Sequence, residues 1–296
     1  MGSVREYRYH VVDVFTTTAL EGNALAVLPA AAGLDGETMQ RIAREFNLSE
    51  TVFVLPSERA DCALRFRIFA PGMELRFAGH PTVGGTFVAL TCGLMPETTE
   101  GFSIDEPIGA VPVRIERGDA PRIWLTTPPI TFGRVFDRRV CAEVLGLAED
   151  ELAPSLPQLV SAGNPNIYVA LRDAAAVDRA WLDLAGIRRL HDGAASPDCV
   201  FVFASTPAGA YSRMFAPEHG IAEDPATGSA TGPLAAYMMR HGYVSKADGT
   251  RFVSEQGAKM GRRSFLHVIV HGAEGISGIE VGGSVVPVAQ GTLFLP

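Results

Sequence analysis

The chain repeats itself, and this narrows the fold more than any other feature. Arg67-Ile68-Phe69-Ala70-Pro71 returns as Arg213-Met214-Phe215-Ala216-Pro217, about half the chain later. A glycine-led segment follows each copy. The first is Gly79-His80-Pro81-Thr82-Val83-Gly84-Gly85-Thr86, running to Gly93. The second is Gly228-Ser229-Ala230-Thr231-Gly232-Pro233-Leu234, running to Gly242. The two stretches are equally long. Proline in the first turn and glycine just past the end are start and stop signals, so both read as helices. Two weaker echoes keep the same order. Gly22-Asn23 precedes the apolar run 24–28 and Gly163-Asn164 precedes 167–171, while Val111-Pro112-Val113-Arg114-Ile115 has its counterpart in Leu266-His267-Val268-Ile269-Val270.

Four echoes in one order predict two similar α/β domains joined near Thr126-Thr127-Pro128-Pro129: residues 1–128 and 129–284. Residues 285–296 then form an extra strand that returns to the first domain. A duplicated fold makes a cleft between its halves, a favoured place for a ligand. The plainer alternative is a duplication that is architectural only.

Apolar runs bounded by turn residues predict strands at 9–15, 24–28, 51–55, 63–69, 123–126, 166–171 and 199–204. Residues 35–46 read as a helix, with Met39, Ile42, Ala43 and Phe46 on one stripe. Residues 138–145 and 180–190 are weaker helical candidates. Strands dominate, with one clear central helix per half, unlike the regular βαβ alternation of a doubly wound sheet.

With 296 residues, 47% hydrophobic and 20% charged, the composition is that of a globular protein long enough for two domains. A net charge of -8 argues against a nucleic-acid partner. No apolar run reaches the ~20 residues of a membrane span. Residues 4–15 enter a strand without a signal-peptide core. Cys62, Cys92, Cys141 and Cys199 are scattered without a C-x-x-C pair, which suits neither zinc nor a disulfide framework. A cytoplasmic protein with reduced thiols, no membrane partner and no metal is expected.

The two helix starts are the first candidate site. Free N–H groups and the positive end of the dipole favour an anion there. Gly79, Gly84, Gly85, Gly228, Ser229 and Gly232 would let a ligand approach the backbone. The same glycines would equally serve tight helix packing. The first loop carries Glu74, Arg76 and His80, and the second carries Glu223, Asp224, Thr227 and Ser229. His80, beside Pro81, is either a neutral imidazole at a site or a packing residue. Asp224, before Pro225, also reads as a turn or cap residue. Glu45 stands in the last turn of the helix ending Arg44-Glu45-Phe46-Asn47-Leu48-Ser49-Glu50. The negative end of the dipole, and partial burial beside Phe46, would raise its pKa toward that of a group able to take and return a proton. A solvated helix-end glutamate is the alternative. Serine-hydrolase elbows, phosphate-binding loops, zinc-protease motifs and dinucleotide fingerprints are all missing.

At these residues the sequence resembles the PhzF (phenazine-biosynthesis-like) family, which shares the diaminopimelate epimerase fold. The matching segments run the length of the chain: 13–27 with Gly22-Asn23, 39–55 with Asn47-Leu48-Ser49-Glu50, 67–84 with Phe77-Ala78-Gly79-His80-Pro81, 212–233 with Glu223-Asp224-Pro225-Ala226-Thr227-Gly228-Ser229-Ala230, and Gln290-Gly291-Thr292. The resemblance implies an α+β fold of two pseudo-two-fold-related domains, each a mostly antiparallel sheet wrapped around a central helix. It implies a homodimer and an isomerase without metal or cofactor. In the family's phenazine-pathway enzyme, the glutamate at the place of Glu45 moves a proton between carbons of dihydro-hydroxyanthranilate. Catalytic roles then fall on Glu45, His80 and Asp224. Binding of a small carboxylate-bearing substrate falls on Asn23, Ser49, Gly79, Thr227, Gly228 and Ser229. Diaminopimelate epimerase carries a cysteine at each helix start, and neither loop here has one, so two-thiol epimerisation is disfavoured. A cofactor-free amino-acid epimerase or racemase, and a small-anion binding protein without turnover, are the competing expectations.

Overall fold

The computed structural model describes residues 4–190, 199–272 and 277–295. The chain divides into two compact units, Met1–Thr126 with Gly282–Pro296, and Thr127–Val281.

The first unit runs β1 (Arg5–Val14), β2 (Asn23–Leu28), α1 (Gly36–Phe46), β3 (Glu50–Pro56), β4 (Leu64–Phe69), β5 (Glu74–Leu75), α2 (Gly79–Thr91), β6 (Gly101–Glu106), β7 (Gly109–Glu116) and β8 (Arg122–Thr126). The second runs β9 (Thr131–Val135), α3 (Arg138–Val144), β10 (Gln158–Ser161), β11 (Pro165–Ala170), α4 (Ala174–Arg179), α5 (Leu184–Arg189), β12 (Cys199–Thr206), β13 (Gly209–Ala216), β14 (Ile221–Asp224), α6 (Gly228–Arg240), β15 (Thr250–Gln256), β16 (Ser264–His271) and β17 (Gly278–Gly283). The last strand, β18 (Val285–Leu295), pairs antiparallel with β1 along its whole length, from Val14↔Val285 to Arg5↔Leu295.

Antiparallel ladders dominate both units, and the parallel exceptions fall at matching places. Strands β2 and β3 are parallel, as are β11 and β12. So are β4 with β6 and β13 with β15. Each sheet wraps one helix. Helix α2 packs on β1, β2, β3, β4, β8 and β18, and α6 packs on β10, β11 and β16. Every residue of α2 from Gly79 to Thr86 is buried, as is every residue of α6 from Gly228 to Met239. A helix buried on all sides must be apolar or small all round, which is how both sequences read.

The repeated Arg-x-Phe segment makes the same construction twice. Arg67 forms a bidentate ion pair with Glu74 at 2.7 Å and lies over the Phe69 ring. Arg213 grips Glu223 at 2.9 and 2.7 Å and lies over Phe215. Glu74 and Glu223, which the sequence offered as site candidates, are thus taken up by the architecture.

The second unit carries more helix than expected. The weak candidate at 138–145 is α3, but 180–190 shrinks to α5, and Ala174–Arg179 forms the unexpected α4. Asp137, Asp173 and Asp183 cap these short helices, each accepting a backbone N–H. Their apolar faces close a core of Val144, Leu145, Ile167, Val177, Ile187, Val202 and Phe215. Pro233 lies inside α6 rather than in its first turn. Its missing N–H takes one intrahelical bond away from the carbonyl of Ser229.

Candidate functional site

Each central helix begins without a side-chain cap. Its first N–H groups therefore present the polarity that favours an anion. What surrounds each start differs between the units.

In the first unit His80 is the second residue of α2 and only 3% exposed. Asn23, buried at the start of β2, lies with Nδ2 3.2 Å from His80 Nδ1. Glu50, at the start of β3, brings Oε2 to 3.3 Å from His80 Nε2, close in distance but without hydrogen-bond alignment. If Asn23 Nδ2 donates to Nδ1, the ring proton belongs on Nε2, facing Glu50; this tautomer follows from the network. Burial pushes the His80 pKa down to about 3. His80 is thus a buried neutral imidazole, with Nδ1 bonded to Asn23 and Nε2 facing Glu50. The sequence reading had not included Glu50, although it ends the Asn47-Leu48-Ser49-Glu50 segment.

Glu45 is in the last turn of α1, whose end is set by Asn47 in the left-handed region, φ 49°. The expected partial burial is not found, for Glu45 is exposed. Phe46 instead packs edge-on against Tyr9, with ring centroids 4.9 Å apart. Adjacent helix residues point about 100° apart, so the partly buried Phe46 gives Glu45 no shelter. Ser49 is half-buried in the turn before β3.

In the second unit Asp224, Thr227 and Ser229 are each 8% exposed and Gly228 is buried. Thr227 Oγ1 donates to the Asp224 carboxylate. Gln256, at the end of β15, ties the turn together. Its Oε1 accepts the Thr227 N–H at 3.1 Å, and its Nε2 donates to the Asp224 carbonyl at 2.8 Å and to Thr227 Oγ1 at 3.0 Å. Asp224 ends β14 and fixes a hydroxyl beside the helix start without capping the helix.

The glycines split by function. A Cβ on Gly84 would lie 2.5 Å from Leu25 Cδ2, one on Gly85 2.6 Å from Phe66 Cε2, and one on Gly232 2.4 Å from Thr127 Cγ2. These three allow close helix–sheet packing and are not ligand positions. Gly79 and Gly228 open the two helices.

No cysteine lies in either helix-start loop. Cys92 follows the last residue of α2, about 20 Å from its start at 1.5 Å per residue. Its Sγ is 3.3 Å from His10 Nε2 in a cavity of about 820 Å³ also lined by Tyr9 and Gln290, and no predicted site residue lines that cavity. Cys62, Cys141 and Cys199 are buried elsewhere. Among the described residues, no group of three or more His, Cys, Asp or Glu is arranged to hold a metal ion.

One buried acid escaped the sequence reading. Glu106, the last residue of β6, is 2% exposed, and Thr82 Oγ1 on α2 lies 2.6 Å from its Oε1. Burial pushes its pKa up to about 8. The signal was there in the alternation of β6, which places Glu106 on the same face as the fully buried Ile104.

The family profile for phenazine biosynthesis-like proteins matches residues 12–291. The chain belongs to the PhzF-type family. Trans-2,3-dihydro-3-hydroxyanthranilate isomerase of Pseudomonas aeruginosa is 35% identical over 98% of this chain and 100% of its own length. An uncharacterized isomerase of Mesorhizobium japonicum is 38% identical over 97% and 98%. A PhzF-family phenazine biosynthesis protein of Bacillus anthracis superposes with a TM-score of 0.86 at 26% identity, covering 98% of this chain and 100% of that one. A hydroxyproline epimerase of Agrobacterium vitis, at 14% identity and TM-score 0.67, shares the fold. The PhzF-type chain is therefore an isomerase with the diaminopimelate epimerase-like fold.

Proposed function

We propose that this isomerase moves a proton between carbons of a small carboxylate-bearing substrate, with Glu45 as general acid and base and no cofactor. The observation that carries the reading is that each uncapped helix start stands beside sheltered polar side chains: buried Asn23 and His80 with part-buried Glu50 at α2, and buried Asp224, Thr227, Ser229 and Gln256 at α6. A helix start of this kind suits a carboxylate, and prearranged neutral donors stabilise charge as it develops.

In the proposed step, the Glu45 carboxylate breaks a C–H bond whose electron pair spreads into the adjoining conjugated system. The carboxyl group then delivers the same proton to another carbon of that system, and the product keeps the formula of the substrate. An exposed carboxylate suits this role because substrate can reach it. His80, neutral and fixed by Asn23, serves as a hydrogen-bonding surface and not as an ionised acid. Asp224 orients Thr227 beside Gly228 and Ser229. The same reading takes the enzyme to be a cytoplasmic homodimer.

The named activity of the relatives supplies the first substrate to assay, trans-2,3-dihydro-3-hydroxyanthranilate. Glu45→Gln should lower turnover by ~10²–10⁴-fold while leaving folding unchanged. Near-normal turnover in that variant would remove Glu45 from the mechanism. Solvent deuterium appearing at a stereocentre without bond migration would point instead to epimerisation. Tight binding of substrate without change would indicate a binding protein.

A further inference from the structure

We propose that Glu106 is a positioning residue for the start of α2: through Thr82 its carboxyl group holds the Ala78 carbonyl and so fixes the Gly79–His80 helix start. The ladder registers supply the first argument. With Phe69 matched to Phe215 in the repeated segment, Leu64 matches Ala210. Leu64 pairs with Ile104 in β6, and Ala210 pairs with Ser254 in β15. Glu106, two residues beyond Ile104, therefore matches Gln256, two residues beyond Ser254. Gln256 clamps the start of α6 through Thr227 and Asp224. Glu106 reaches the start of α2 from the equivalent place.

Proton accounting at Thr82 supplies the second argument. Thr82 Oγ1 lies 2.8 Å from the Ala78 carbonyl and 2.6 Å from Glu106 Oε1. A hydroxyl has one proton, so it cannot donate to both a carbonyl and a carboxylate. Thr231, at the matching place on α6, donates to the Thr227 carbonyl at 2.9 Å, and Thr82 in the same geometry donates to Ala78. The short Glu106 contact is then satisfied when the carboxyl group is protonated and donates to Thr82. A chain forms from Glu106 through Thr82 to the Ala78 carbonyl, which also accepts the N–H of residue 82 at 3.2 Å. A neutral carboxylic acid has the donor that a carboxamide has, and it copies Gln256.

Burial favours this state. Glu106 Oε2 is buried without a hydrogen-bond partner, a costly position for a charged oxygen. Burial is the main influence raising the Glu106 pKa to about 8. Asp105 on the same strand adds like charge, and only a hydrogen bond donated by Thr82 to the ionised carboxylate would oppose them. Asp105 is itself 4.0 Å from Arg59 and Arg65. From α2 the nearest titratable residue is His80, held neutral by burial.

That this helix start serves the substrate rests on the function proposed above; the clamp itself does not, and the experiment separates them. Infrared spectra at pH 6 should show a buried protonated carboxylic acid that is lost in Glu106→Gln and lost in wild type as pH passes about 8. Amide exchange at position 82 should be roughly tenfold faster in Glu106→Met and Thr82→Val, the worth of one hydrogen bond, and unchanged in Glu106→Gln. Wild-type protection should fall above about pH 8, while that of Glu106→Gln does not. If Glu106→Met does not fold, Thr82→Val decides. Absence of the carboxylic-acid band, or equal protection in all variants, overturns the proposal. An intact clamp signature with no turnover on trans-2,3-dihydro-3-hydroxyanthranilate would instead sink the assigned substrate. With that substrate, Thr82→Val should raise KM more than it lowers kcat, because the clamp shapes a binding surface and moves no proton.

Discussion

Replacing Arg213 by alanine tests how much of the repeated Arg-x-Phe construction is energetically equivalent. The two copies share chemistry and differ in burial. The Arg213 and Glu223 side chains are 4% and 8% exposed, and Arg213 Nη1 also donates to the carbonyls of Val177, Asp178 and Ala180. Arg67 and Glu74 are 22% and 33% exposed. Arg213→Ala leaves a carboxylate buried without its partner and three carbonyls without that donor, a loss of ~3–5 kcal/mol. Arg67→Ala lets water replace the lost partner and should cost ~1 kcal/mol or less. The gap of at least ~2 kcal/mol corresponds to roughly thirtyfold in the unfolding equilibrium. Urea denaturation can read each unit separately, because Trp124 lies in the first and Trp181 in the second. Single-tryptophan backgrounds also avoid forcing one two-state fit on a chain of two units. The double variant Arg213→Met with Glu223→Leu should recover most of the loss, since apolar packing avoids the desolvation of both charges. Equal costs for Arg67→Ala and Arg213→Ala would refute the reasoning that burial decides the worth of this pair.

The remaining predictions follow from burial and close packing. Glu106 has a folded pKa of about 8 against an ordinary 4.5, so its contribution to stability is fully present below pH 4.5 and is lost as pH rises to about 8. Over three and a half pH units at ~1.4 kcal/mol each, Glu106→Gln should gain up to ~5 kcal/mol over wild type at alkaline pH, an upper bound, and match it near pH 4; parallel stability–pH curves would refute this. His80 shifts the other way, so its contribution is present above pH 6.5 and declines as pH falls toward about 3. Its ring nitrogens should show no titration in NMR spectra down to pH 5, and a midpoint near 6.5 would contradict the buried neutral imidazole. Gly84→Ala and Gly232→Ala should each destabilise by ~1–3 kcal/mol despite alanine's better helix propensity, because the new Cβ meets Leu25 or Thr127 at 2.5 or 2.4 Å. A stabilised variant at either position would return these glycines to the list of ligand positions.

What the sequence disclosed, and what it hid, follows from which interactions leave a local trace. The duplication is visible because Arg67 and Arg213 each meet a carboxylate and an aromatic face from residues close by in sequence, so the whole construction falls within one short segment. The helix starts are visible because glycine and proline act through the backbone of their own segment. Burial acts through partners distant in sequence. Glu45 looked sheltered because Phe46 is beside it in the chain, yet consecutive helix residues diverge and only Phe46 turns inward to Tyr9. Glu74 and Glu223 looked available until the hairpins brought Arg67 and Arg213 to them. Helix α4 offers only six residues of weak pattern, and the core that covers it comes from strands on either side of it in the sequence. Glu106 was hardest to see, because an acid before Pro107 reads as a turn residue. The alternation of β6 puts it on the face of Ile104, and the pairing of Ile104 with Leu64 makes that the inward face. The two units also show why such a residue cannot be found by comparing the repeats as text. A glutamate and a glutamine at matched places look like a polar surface difference. Once both are buried against a helix start, a neutral acid and an amide become two solutions to one problem: supplying a donor where water cannot reach. The acid alone makes that solution depend on pH.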